Sequence, residues 1–130
     1  MPAASEFQYT ILRLVPSVER GERINVGIVL FCRQRGFLAA RIEVDVQRLA
    51  TLAPNVDPAV LLPHLNALCD IATGAPAAGA LGTLSPSERF GLLAAPSSTM
   101  IQPAPVHTGL SEDPEATLQR LFETLVSALS

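Results

Sequence analysis

The feature that most constrains this chain is the run Ile24-Asn25-Val26-Gly27-Ile28-Val29-Leu30-Phe31-Cys32, which follows directly on the charged segment Glu19-Arg20-Gly21-Glu22-Arg23. The run is too short for a typical helix and rich in β-branched types, so it reads as a strand. It is apolar at both parities, which predicts a central strand covered on both faces. Asn25 and Gly27 are the exceptions, two residue types that a plain strand avoids.

The neighbouring segments supply partners for that strand. Phe7 to Val15 is aromatic and β-branched and is closed by Pro16. Phe7, Tyr9, Ile11, Arg13 and Val15 share one face of it, and Gln8, Thr10, Leu12 and Leu14 the other. Gly21 supplies a left-handed residue for the turn between the two strands. Arg33-Gln34-Arg35-Gly36 is a short connection into a third strand, Phe37 to Val44. The three form an antiparallel meander.

Helix signals fill the rest. Asp45 caps a short helix, Val46 to Ala53. Asp57-Pro58 opens a second that ends at Gly74, with Leu61, Leu65, Leu68, Cys69 and Ala72 on one face. Pro63 should kink that helix or delay its start. Residues 73–84 lack charge and are rich in Gly, Ala and Pro, which predicts a mobile loop. Ser85-Pro86-Ser87-Glu88 is a capping box for a third helix reaching about Ala95. Ser98 to Gln102 suits a fourth strand, with an extended, proline-stiffened segment after it. Asp113-Pro114 starts a last helix with the stripe Leu118, Leu121, Phe122, Leu125 and Leu129. The expectation is one α+β domain over residues 1–130, with residues 1–6 as a loose leader. A small antiparallel sheet of three to four strands would pack against about four helices.

Composition narrows the function. An apolar fraction of 48% at 130 residues supports a core without staples. The net charge of −3 and the lack of a basic stripe with aromatics beside it argue against nucleic acid. The apolar runs are too short to span a bilayer. Cys32 and Cys69 sit in apolar contexts and read as buried thiols of a cytoplasmic protein. Cys32, His64, Cys69 and His107 lack metal-ligand spacing, and neither a metal nor a cofactor is expected.

Three groups are candidate sites. Arg20, Glu22, Arg23 and Asn25 could converge on an anion, or could rigidify a turn, with Asn25 holding backbone at a strand end. Arg13 and Arg41 interrupt apolar strands. They read either as ligand groups or as members of a solvated sheet face, Arg41 pairing across strands on the side of Glu43. Gln102 and His107 stand in a segment of hydroxyls, amide and imidazole that could line a polar pocket or form an edge.

Tyr9-Thr10-Ile11-Leu12-Arg13-Leu14-Val15-Pro16, then Arg20-Gly21-Glu22-Arg23-Ile24-Asn25-Val26-Gly27-Ile28-Val29-Leu30, resembles the bacterial domain-of-unknown-function 3037 family. Ala95 to His107 resembles a later family segment, departing from it at Ser97, where members often carry arginine. The resemblance implies a small bacterial protein without an assigned activity. Some members are encoded beside a HipA-like kinase, which implies a protein partner. The leading expectation is a non-enzymatic binding or accessory module acting through that partner. The other is a protein or enzyme that binds a phosphate- or carboxylate-bearing ligand through an Arg/Asn/His pocket.

Overall fold

The computed structural model describes residues 3–16, 21–96 and 100–127. Within them, β1 (Ser5–Leu14), β2 (Ile24–Cys32) and β3 (Phe37–Ile42) form the expected meander. After it come α1 (Val46–Leu52), α2 (Pro58–Thr73), α3 (Pro86–Ala94), β4 (Ile101–Pro103), β5 (His107–Ser111) and α4 (Pro114–Leu125). The sheet is five-stranded and antiparallel in the order β3-β2-β1-β4, with β5 also on β1. The fold is α+β.

The layers follow from strand parity. On one face Leu12, Leu14, Val29 and Phe31 meet Leu49 of α1, Leu61 and Leu65 of α2, and Phe90 and Leu93 of α3. On the other, Phe7, Ile28, Leu30 and Cys32 meet Leu118 and Leu121 of α4. Strand β2 is therefore apolar at both parities because helices cover both of its sides.

That alternation is broken once. Leu12 pairs with Gly27 and Arg13 with Asn25, leaving Val26 as an extra residue in β2. This bulge reverses the parity of everything before it. Ile24 and Val26 thereby join the larger core, and Asn25 turns to the α4 side. The bulged carbonyl of Val26 is not orphaned, since the Glu43 amide donates to it at 2.9 Å. Space is tight at Gly27. A Cβ there would lie 3.1 Å from the Arg41 carbonyl oxygen and 3.2 Å from Leu12 Cδ1.

Helix ends follow local chemistry. Asp45, Asp57, Ser85 and Asp113 each accept a backbone N–H at an N-terminus, and Glu88 completes the capping box. Helix α2 runs through Pro63 without a break. Pro63 lies on the exposed side, where water can serve the Ala59 carbonyl that its missing N–H leaves. Residues 73–84 are not an irregular loop throughout, because two short 3-10 pieces, on either side of a non-helical Gly79, lie within Pro76–Thr83. Arg89 of α3 donates to the carbonyls of Ile71, Ala72 and Leu84, satisfying the end of α2.

β5 departs from the sequence expectation, which placed only an extended segment after Pro103 and Pro105. It pairs with the first half of β1, from Ser5↔Ser111 to Tyr9↔His107. Phe7 lies over Gly109, where a Cβ would come 2.6 Å from the ring, so an aromatic ring covers the bare backbone of an edge glycine. β1 also starts at Ser5, inside the segment read as a leader. Arg35 ties that end down, donating to Ser5 Oγ at 3.0 Å and to the carbonyls of Ala3 and Glu112. Leu129 lies outside the described residues.

Gly27→Ala is expected to destabilise the fold by about 1–3 kcal/mol through overpacking against β3 and Leu12. Urea denaturation checks this, with the midpoint falling and the slope unchanged.

Candidate functional site

The residues singled out in the sequence divide into three places. Asn25, Arg13 and Gln102 stand side by side in one cross-strand row over β2, β1 and β4. They share the α4 face of the sheet because the bulge has turned Asn25 there. The Asn25 Nδ2 group donates to the Leu125 carbonyl at 2.9 Å. That oxygen is one of the last four of α4, which no intrahelical N–H reaches. Asn25 therefore fixes the end of α4 to the start of β2 through one N–H of its amide. Arg13 is half-buried beside it, and Gln102 is half-buried and has a partner.

His107 is elsewhere. It faces Tyr9, with ring centroids 5.3 Å apart, and is exposed. Tyr9 and Arg13 are four residues apart on β1, which is roughly 13 Å along the strand. The fold thus brings Gln102 to Arg13 and Asn25, but not His107, and among the described residues these do not form one Arg/Asn/His pocket.

Arg41 is a correction of a different kind. It pairs with Glu115 of α4 and donates to Gln119 Oε1, 3.3 Å from its Nε. The face read as solvated, with a partner on the Glu43 side, is covered by a helix that brings its own carboxylate. At 36% and 59% side-chain exposure the pair is a surface tie, a tether of α4 rather than a site.

The charged turn gives one usable group. Arg20 lies outside the described residues. Gly21 is left-handed as expected, at φ 70°. Glu22 is half-buried and engaged, while Arg23 is exposed. Arg23 borders an open groove of about 340 Å³ lined also by Ile24, Asn25, Arg48, Leu52 and Leu125. Arg48 was not singled out in the sequence. It sits on the outside of a short helix, in no motif, and only the packing of α1 against the start of β2 brings it to Asn25.

Cys32 lies in the α4 layer and Cys69 on α2 across the sheet, both as free thiols. Cys69 is half-buried rather than buried. Among the described residues no three His, Cys, Asp or Glu side chains form a metal-binding group. Burial pushes the Cys69 thiol above its ordinary pKa, and the neighbouring Asp70 carboxylate adds to the effect. A raised acid pKa stabilises the fold fully below the unfolded value, about pH 8.5, and the contribution is lost as pH rises through the folded one.

The chain matches the family model described as "Protein of unknown function (DUF3037)" over residues 9–126, and it belongs to that family. No curated protein and no solved structure is found to match it.

Asn25→Ala is expected to cost about 1–3 kcal/mol, because it strands the Leu125 carbonyl at a part-buried helix end. Denaturant unfolding and faster amide exchange in the last turn of α4 are the measurements. At pH 8.5, Cys69 is expected to react with iodoacetamide more slowly than a free thiol. Unfolding in urea should restore the free-thiol rate, as followed by mass spectrometry.

Proposed function

We propose that this member of the DUF3037 family is a non-enzymatic binding or accessory module that acts through a protein partner. The observation that carries the reading is an apolar groove of about 210 Å³ between α2, α3 and β4. Leu68, Leu92, Leu93, Ile101 and Pro103 line it beside His64. Leu92 is 48% exposed, although it adjoins a cleft that could shelter it. A large apolar side chain so placed gains about 25 cal/mol for each Å² that a partner removes from water.

The groove is bounded by two helices, which suits an inserted helix or loop carrying one or two apolar anchors. The family resemblance supplies the partner, a HipA-like kinase encoded nearby. The proposed compartment is the cytoplasm, where the two free thiols stay reduced. Among the described residues no helix is long and apolar enough to cross a membrane.

Co-expression of the tagged chain with the neighbouring kinase tests this. The kinase is expected to co-purify, and Leu92→Asp to lower its retention at least tenfold, as about 1.4 kcal/mol of lost binding would. Leu110→Asp, on β5 at 73% exposure, is expected to leave retention unchanged. A tagged protein that emerges alone with the kinase present overturns the proposal.

A further inference from the structure

We infer that the groove between the start of β2, α1 and the end of α4 binds a small ligand with one phosphate or carboxylate head on an apolar body. Arg23 enters it from the turn before β2 and Arg48 from α1. Both are exposed, and neither side chain makes an ion pair or hydrogen bond among the described residues. Two arginines that line one hollow bring positive charge to it, and an anion there is favoured by both. Their planar forks suit the paired oxygens of a carboxylate or phosphate.

The rest of the wall selects the body of the ligand. Leu52, 43% exposed, and Leu125 line the groove together with Ile24. Leu52 is also the ridge of a second hollow that includes Pro16, Pro54 and Val56, so an apolar body can extend across it. A volume of about 340 Å³ is at the lower end for small-molecule sites. One N–H of the Asn25 Nδ2 group is held by the Leu125 carbonyl. This bond keeps the two sides of the groove at a fixed spacing, so the site is formed before the ligand arrives.

The carboxylates nearby limit the charge. Glu43 and Asp45 line the narrow cleft beyond Asn25, next to Arg48. Glu43 has a partner, and Asp45 Oδ1 accepts the amides of Gln47 and Arg48. Their negative charge disfavours a polyphosphate and leaves room for a single head group. The site shares no lining residue with the groove at Leu92, so ligand binding and partner binding stand or fall separately.

Calorimetric titration with phenyl phosphate, at low salt, tests the site, with phenol and inorganic phosphate as its two halves. One-to-one binding of phenyl phosphate is expected, tighter than either half. Arg23→Gln and Arg48→Gln should each weaken it at least tenfold. Arg33→Gln, which removes a surface hydrogen bond to Ser87, should not. In the unaltered protein, amide shifts on titration should concentrate at residues 23–25, 48–52 and 125, a readout that needs no variant to fold. Absence of binding, binding that both glutamine variants retain, or shifts concentrated elsewhere overturns the inference. Inorganic phosphate binding as tightly as phenyl phosphate overturns the apolar part of it.

Discussion

One extra residue in β2 sets the arrangement of this molecule. A strand that alternates without interruption would send Asn25 into the core of α1, α2 and α3, and Ile24 and Val26 towards α4. The bulge at Val26 exchanges them. It puts two β-branched side chains into the larger core and an amide opposite the end of α4. Burying that amide among α1, α2 and α3 without a partner would be costly. Gly27 stands beside the bulge, where a Cβ would press on β3 and Leu12 at 3.1 and 3.2 Å. The Asn-x-Gly pattern is thus first a device for register, and the groove beside it is a consequence.

The helices are held to the sheet by polar ties at their ends as much as by their apolar stripes. Arg41 meets Glu115 at the start of α4, and Asn25 meets the Leu125 carbonyl at its end. Arg89 closes α2, and Arg35 joins the chain before β1 to the chain after β5. The ties of Asn25, Arg89 and Arg35 satisfy backbone carbonyls that secondary structure leaves open, and that of Arg41 joins two side chains. Four of the nine basic residues of the chain (Arg33, Arg35, Arg41 and Arg89) have such structural partners. Among the described residues Arg23 and Arg48 make no such tie, which is why the groove between them stands out in an acidic protein.

The two proposed binding surfaces differ in chemistry. The Leu92 groove is apolar and lies between helices. The Arg23–Arg48 groove is cationic at its rim and apolar along Leu52 and Leu125. They are built from different elements, and a module that carries both could bind a protein on one side and a small anion on the other. The end of α4 reaches the second groove through Leu125, so the proposed ligand would also help to seat that helix.

The local sequence by itself determined the elements that depend on a few consecutive residues. The caps at Asp45, Asp57, Ser85 and Asp113, the left-handed Gly21 and the two-faced apolar run of β2 all act within one turn or one strand, so they are legible without a fold. β5 was not legible, because Thr108-Gly109-Leu110 has little strand character of its own and forms by pairing with β1 under Phe7. The tertiary structure alone decided the bulge, since register is a property of two strands and not of one. It alone separated His107 from Arg13, gave Arg41 a helix partner, and brought Arg48 to Asn25. These are contacts between residues distant in the chain, set by how layers pack, and no local pattern encodes them.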